Sequence, residues 1–383
     1  MSKMVILLST AAVLLAFAVG KVIVNVPIAF ELRPAKPSAN ETMNAIIYNQ
    51  HGDASVLQYQ QVPRPEIRPH QILIRVHASS INPCDFKFRR SPKPSFVIPK
   101  PKIPGDDVAG EIIEVGAAVE GFQQGDRVAA MLPIVGSRWG SAAEYVAVDA
   151  SLVARLGAAI SYKDAASLPL VALTVVQALA KVKDPKGKTI LIQAGAGGVG
   201  TFAIQYAKYL GMKAIAATAS ANKHELLQEL GADIVLDYKK QKFSEEIKDY
   251  DVVLDPMSWA YEEETFQSHV LHPRGHYLNL LSSDWAFSGI EDSNGLTTAK
   301  NWIQSKLLFR ALKYDVVTVV PNGEQLQEVM DLLEKGTVRA VIDREYPLPR
   351  AQEAYEYLEQ GHTTGKVVLQ HAHGDDEEEE ARS

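Results

Sequence analysis

Between Thr189 and Ala217 the apolar positions change their period twice. Thr189-Ile190-Leu191-Ile192 is a continuous β-branched and apolar run, as expected of a strand buried on both faces. A glycine cluster follows, Gly195-Ala196-Gly197-Gly198-Val199-Gly200. A helical period then puts Val199, Phe202, Ala203, Tyr206, Ala207 and Leu210 on one face until Gly211 closes it. A second apolar run, Lys213 to Ala217, completes a strand–turn–helix–strand unit. Beyond it come a helix over Lys223 to Leu230 and short runs at Ile234-Val235-Leu236, Val252-Val253-Leu254-Asp255 and Leu278 to Leu281. That alternation predicts a parallel sheet flanked by helices. Ser161 to Lys181 carries one long helical pattern leading into it.

The flanking stretches read differently. From Met43 the chain shows short strands with turn signals, clearest at Ile72-Leu73-Ile74-Arg75-Val76, Val108 to Val115 and Arg127 to Met131. Gly105, Gly110, Gly116, Gly121 and Gly125 punctuate them, giving a compact, mainly β domain of about 120 residues. From Lys313 strands and short helices return, ending in Lys366-Val367-Val368-Leu369.

Met4 to Val19 is almost wholly apolar and continues past Gly20-Lys21 to Phe30. Sixteen helical residues rise about 24 Å, short of the roughly 30 Å hydrocarbon core, but a snorkelling Lys21 extends the span through Val26. Basic residues collect on the C-terminal flank (Lys21, Arg33, Lys36), which favours an anchor over residues 4–26 with a cytoplasmic body. The alternative is a cleaved leader, with Ala16-Phe17-Ala18 as the processing site and a secretory or organellar destination. In a lumenal body, Asn40-Glu41-Thr42 would be a glycosylation sequon. Residues 31–42, with two prolines, read as a linker.

At 383 residues the chain has room for two substantial cores. Its formal net charge is −7, of which Asp375 to Glu380 supplies six negatives, so the body is near neutral and a nucleic-acid partner is not indicated. Cys84 is the one cysteine, which rules out an intrachain disulfide and a cysteine-rich zinc site.

The glycine cluster now acquires a chemical meaning. Placed between a strand and a helix, Gly195, Gly197 and Gly200 let backbone N–H groups approach a pyrophosphate at the helix start. An NAD site wants a carboxylate at the end of the next strand. Here Ala217-Thr218-Ala219-Ser220-Ala221-Asn222-Lys223 offers a hydroxyl and a cation, with no acid before Glu225. Ser220 and Lys223 can hold a 2′-phosphate, so NADPH is the expected cofactor, although Lys223 also fits a solvated helix-start lysine.

Taken together, the motifs resemble the medium-chain dehydrogenase/reductase superfamily in its zinc-free quinone oxidoreductase and enone reductase branch. They run from Val76-His77-Ala78-Ser79-Ser80-Ile81-Asn82-Pro83-Cys84-Asp85 through Pro104-Gly105-Asp106-Asp107-Val108-Ala109-Gly110, Gly125-Asp126-Arg127-Val128, Ala143-Glu144-Tyr145-Val146 and Leu168-Pro169. The glycine turn, Leu230-Gly231-Ala232-Asp233, Asp237-Tyr238, Ile342-Asp343-Arg344 and Gly365-Lys366-Val367-Val368-Leu369 follow. The resemblance implies an α/β protein in which a GroES-like, mainly β catalytic domain (residues 43–160 and 313–371) carries an inserted Rossmann domain (161–312). The leader (1–30) and the acidic tail (372–383) fall outside it. Zinc-dependent relatives place a cysteine where Asn82 stands and a histidine where Asp106 stands, so no metal is expected.

The implied reaction is hydride transfer from NADPH to a quinone or an α,β-unsaturated carbonyl, where charge develops on the carbonyl oxygen and donors aimed at it are worth about 3 kcal/mol each. Asn82 and Asp85 are the candidate catalytic residues. Asn82 offers an amide donor, or else merely satisfies the loop ahead of Pro83; Asp85 holds that loop. Cys84 reads as a small buried residue. The resemblance carries cofactor roles onto Gly195, Ala196, Gly197, Gly198, Val199, Gly200, Ser220, Lys223, Tyr238 and Leu280. It also places Thr174 beside the nicotinamide and Lys366 near the cofactor's phosphate or ribose. Where the family has a glycine pair, this chain has Pro256-Met257-Ser258-Trp259, so Trp259 and Tyr261 are expected to reshape the cleft. The same resemblance, whose members are often dimers or tetramers, leaves a homodimer as one of the open oligomeric states. The competing reading is an NADPH-binding scaffold that acts through a protein partner, engaged by the acidic tail.

Overall fold

A computed structural model describes residues 37–90, 99–134, 136–257, 260–280 and 313–372. The expected anchor over residues 4–26, Trp259 and the acidic run from 375 to 380 lie outside the described residues.

The chain opens with β1 (Pro37–Ile47), antiparallel to β2 (Gln58–Pro65). Residues 37–42, expected as linker, thus begin a strand, because pairing with β2 gives their backbone groups partners. Next come β3 (Gln71–Ile81), α1 (Pro83–Arg90), β4 (Asp107–Val115), β5 (Arg127–Met131), β6 (Tyr145–Asp149) and β7 (Val153–Arg155). The single helix expected over 161–181 is two, α2 (Tyr162–Ala166) and α3 (Pro169–Leu179). The signal is Pro169, which lacks an N–H and begins α3 where none is needed. Ser161 caps α2, its hydroxyl accepting from Asp164 N at 3.1 Å.

The middle of the chain alternates β8 (Thr189–Ile192), α4 (Gly198–Tyr209), β9 (Ala214–Ala219), α5 (His224–Leu230), β10 (Ile234–Asp237), α6 (Phe243–Glu246), β11 (Tyr250–Asp255), α7 (Ala260–Gln267), β12 (Leu271–Leu280) and β13 (Lys313–Val317). The six strands form one parallel sheet in the order β10-β9-β8-β11-β12-β13. Since Lys313 to Val317 pairs in register with His276 to Leu280, this sheet runs past residue 312, where the sequence pattern alone would end it. The tail of the fold is α8 (Gly323–Glu334), β14 (Ile342–Pro347), α9 (Ala351–Glu359) and β15 (Lys366–Gln370).

β15 returns to pair antiparallel with β3, closing a second sheet in the order β14-β15-β3-β4-β5-β7, with β6 also on β3. Val367, Val368 and Leu369 are fully buried there, each contributing roughly 1.5–3 kcal/mol relative to exposure. The largest apolar cluster is shared by both sheets. Ala78, Ala109, Ala129 and Met131 of the antiparallel sheet pack into the same core as Ile190, Ile192, Val252, Leu254 and Leu278 of the parallel one. Beside that shared core β3, β4, α3, β15 and the glycine turn converge.

Candidate active site

The turn between β8 and α4 is built for close approach. Ala194 adopts a left-handed conformation (φ 51°), and Gly195 N donates to Thr218 O at 2.8 Å. A β-carbon on Gly200 would lie 2.5 Å from Ala194 O and 2.6 Å from Gly195 Cα, so the helix can sit this tightly on the strand only with glycine. Gly197 is the N-cap of α4, and Thr201 N donates to Gly197 O at 2.9 Å as the first helical rung. The N–H groups ahead of that rung have no intrahelical partner and are available to an anion. A β-carbon on Gly197 would meet only Ala194 O, at 3.5 Å. The cradle therefore fits a pyrophosphate. It is also tied to the other sheet, because Gly365 N donates to Ala196 O at 2.8 Å.

Beside the cradle, Asp237 pairs in register with Ala219, which sets Ser220 and Tyr238 next to each other at the ends of β9 and β10. Tyr238 is 47% exposed, and Lys223 is half-buried one short turn beyond Ser220. The Asp237 carboxylate is turned into its own loop, accepting from Lys239 N at 3.1 Å. The expected 2′-phosphate residues are thus brought together. Val199 is half-buried against the shared core, Leu280 is buried at the end of β12, and Thr174 is buried in α3 with its hydroxyl donating to Leu170 O at 2.7 Å. Tyr261 meets Phe243 edge-on within its own domain, at 5.8 Å between ring centroids.

Asp107, fully buried at the start of β4, organises the other wall. Its Oδ2 accepts from Ser80 Oγ at 2.8 Å, Asn82 Nδ2 at 2.8 Å and Lys366 Nζ at 3.2 Å, and its Oδ1 accepts from Leu170 N at 2.7 Å. Lys366 also donates to Ile81 O at 3.1 Å and to Asn82 Oδ1. The expected place of Lys366, near the cofactor's phosphate or ribose, is approached by its stem rather than its ammonium. The stem does cross the glycine turn, its Cδ lying 2.8 Å from where a Gly198 β-carbon would be, but the ammonium points away into the catalytic wall. A fully buried carboxylate needs a cation, and Asp107 claims this one. Asn82, 1% exposed, gives one amide hydrogen to Asp107 and its oxygen to Lys366, so its amide holds this wall together. Asp85 closes the start of α1, accepting from Asn82 N at 2.8 Å, the reciprocal half of a capping box.

A narrow recess opens beside these groups, lined by Tyr48, Asp85, Phe88, Lys102, Pro104, Asp106 and Ile134. Asp106 is 3% exposed and Lys102 5%. Lys102 Nζ donates to Ser137 O at 3.0 Å, and Cys84 Sγ lies 3.6 Å from Asp106 Oδ2. Burial pushes the Asp106 carboxyl well above the usual range, and the nearby Asp85 adds to that. Asp85 itself is pushed up to about 6, chiefly by burial, while burial pulls the Lys102 ammonium down and the Cys84 thiol up. Sequence reasoning missed Lys102. Its one trace was a lysine in Pro101-Lys102-Ile103-Pro104, where Ile103 faces the core.

A family profile described as "Alcohol dehydrogenase GroES-like domain" matches residues 68–158, and one described as "Zinc-binding dehydrogenase" matches residues 230–369. The chain is 35% identical over 343 residues to an NADPH-dependent alkenal/one oxidoreductase of Arabidopsis thaliana, covering 88% of this chain and 81% of the relative. It is 33% identical over 343 residues to a chloroplast envelope quinone oxidoreductase homolog of the same plant, covering 87% and 99%. The quinone oxidoreductase structure from Coxiella burnetii superimposes with a TM-score of 0.76 at 31% identity, covering 86% of this chain and 99% of that one.

The second profile's description raises the question of zinc. Asn82 has its amide engaged by Asp107 and Lys366, and a lysine ammonium already occupies the space before it. Cys84, Asp85 and Asp106 do bring potential ligand atoms within 4.8 Å of one another. Asp85, however, is committed to capping α1, Lys102 reaches into the same recess, and among the described residues no histidine or second thiol joins the group. Zinc wants deprotonated ligands around an open position, and these residues do not fit it.

Proposed function

The chain belongs to the medium-chain dehydrogenase/reductase superfamily, in its quinone oxidoreductase-like branch, and from that premise we propose that it reduces quinones and α,β-unsaturated carbonyls with NADPH. The observation that carries the reading is the glycine cradle set against the Asp107 wall. One cleft holds both an anion-binding helix start and a buried polar cluster, joined through Gly365 and the Lys366 stem. NADPH supplies a hydride when bound.

The chain's own residues do the rest. Gly195 to Gly200 receive the pyrophosphate, and Ser220, Lys223 and Tyr238 face the 2′-phosphate. Thr174 and Leu280 line the nicotinamide end. Asn82 and Lys366 fix the catalytic wall, and Asp85 fixes the loop that presents it. Full-length protein should oxidise NADPH saturably with an alkenal or a quinone and be indifferent to metal chelators. Failure with every member of a broad acceptor panel would remove this reading. A scaffold acting only through a partner is not favoured, since the relatives named above are oxidoreductases.

Both Arabidopsis relatives are named for the chloroplast. For this chain we favour an organelle-targeting leader within residues 1–30, which N-terminal sequencing of mature protein would reveal. Among the described residues no helix is long and apolar enough to cross a membrane, so membrane attachment is a proposal about residues 4–26 alone.

A further inference from the structure

We propose that Asp106 delivers the proton that completes the reduction, with Lys102 holding the carboxylate that remains. The inference rests on the reductase reading above. One buried patch gathers five charged groups. Asp85, Asp106 and Asp107 contribute three carboxyl groups, and Lys102 and Lys366 two ammonium groups, all of them at most 7% exposed. Arg89, equally buried beside Tyr48 and Tyr355, is taken up by Glu359, so with every group ionised the described residues of the patch would keep one uncompensated negative charge, which is costly, and one carboxyl holds a proton.

Hydrogen bonding selects which one. Asp107 accepts from Ser80, Asn82, Lys366 and Leu170 N, and Asp85 accepts from Asn82 N; all of these favour the ionised form. Among the described residues Asp106 has only the weak thiol contact from Cys84. Burial and the neighbouring Asp85 raise its proton affinity further. Among the described residues the groups that face it are Tyr48 just past β1, Cys84 and Asp85 from α1, Lys102 from the preceding loop, Asp107 from β4 and Tyr355 from α9. Neither tyrosine competes as the acid, since burial and the carboxyl groups raise both well above the ordinary phenol range.

The recess gives the proton a way out. It is lined by the polar side chains of Asp106, Asp85, Lys102 and Tyr48, and its size suits about one water molecule. Ile134, on its rim, packs against the core shared by the two sheets, and the proposed reaction puts the acceptor on that side of the recess. In the reaction, hydride forms the new C–H bond at the β-carbon, and the alkene π pair moves to make an enolate. The recess water gives a proton to the enolate α-carbon and takes the proton from Asp106 as its O–H bond breaks. Lys102 then faces an Asp106 carboxylate, which recovers its proton from solvent after product leaves. The net change is enone plus NADPH plus H⁺ to saturated carbonyl plus NADP⁺. With a quinone the same proton goes to oxygen and gives the hydroquinone.

The test uses full-length protein and Asp106→Asn, with NADPH affinity and thermal unfolding as checks on integrity. Asp106→Asn is expected to lower kcat for an alkenal about 100-fold with unchanged NADPH affinity. In the wild type kcat should fall as pH rises through the Asp106 titration, and in D106N that falling limb should be gone. D106N with wild-type kcat and an unchanged pH profile overturns the proposal. Should D106N not fold, Lys102→Met takes its place, and must lower kcat and move the falling limb to higher pH; an unmoved limb overturns the proposal. Infrared difference spectra of the cofactor-free proteins decide independently of turnover. A protonated-carboxyl band at neutral pH must be present in the wild type and lost in D106N. If the wild type reduces no acceptor, the reductase reading fails, and the infrared band still decides whether Asp106 stores a proton.

Discussion

Lys366 shows how much a single side chain does here, because it neutralises a carboxylate that no solvent reaches. Lys366→Met should strand Asp107 and cost about 3–5 kcal/mol in urea unfolding, much of which K366M/D107N should recover. If K366M costs nothing, the ion pair does not hold the wall. Asp85 makes a second prediction, one that depends on pH. Its carboxyl titrates at 3.8 in the unfolded chain and at about 6 when folded, burial being the chief cause. Between those values the native state binds more protons, so stability falls as pH rises from about 4 to about 6 and is level above. Asp85→Asn should remove up to about 3 kcal/mol of that fall. Equal slopes for the two proteins would contradict it. At the cofactor, Lys223→Ala should weaken NADPH binding about tenfold and leave NADH binding unchanged, the effect expected of one charge-assisted contact. The residue types at these places were visible in the sequence, and the pairing was not. The family resemblance places Lys366 by the cofactor, and only the fold shows that β15 brings its ammonium to Asp107. Lys102 was equally illegible, and Asp106 was marked only as the place of a lost zinc ligand, because what buries a charge lies far away in the chain.

Among the elements, the β8–α4 turn sets the sharpest constraint, and its glycines are not equivalent. Gly200→Ala would drive a β-carbon to 2.5 Å from Ala194 O, so it should lower stability by about 1–3 kcal/mol and cofactor affinity with it. At Gly197 a β-carbon meets nothing closer than 3.5 Å within the protein. Gly197→Ala should therefore leave the melting temperature nearly unchanged while weakening NADPH binding, since the added methyl stands where the pyrophosphate must approach. A variant that melts normally and binds NADPH normally would show that this turn is not the cradle. The turn could be read from the sequence because a strand period, three spaced glycines and a helical period agree on it. Local pattern failed where long-range pairing decides. β13 joins the parallel sheet through β12, across a stretch of chain outside the described residues, and Pro37 to Thr42 become strand only because β2 lies alongside. The break between α2 and α3 was legible at Pro169 but was overridden by the continuity of the apolar pattern around it.

For the molecule as a whole, the two sheets share too much to unfold separately. Met131 and Ala109 belong to the same apolar core as Ile192 and Leu254, and Asp107 holds the backbone of α3 through Leu170 N. Gly365 in turn ties the glycine turn to the start of β15. Separating the sheets would expose that core and strand a buried carboxylate, both of which cost more than the few kcal/mol that commonly distinguish independent domains. Calorimetry should therefore give one transition whose van't Hoff and calorimetric enthalpies agree, and two resolved transitions would show that the shared core is weaker than its burial implies. NADPH discriminates further, because its cradle includes the Gly365 strap from the opposite sheet. A ligand at about 100 times its dissociation constant stabilises by about 2.7 kcal/mol, and that increment should raise the single transition as a unit. If NADPH moved only part of the unfolding signal, the cofactor would be held by the parallel sheet alone. The joined cleft on which the hydride and proton steps both depend would then have to form only when the acceptor arrives.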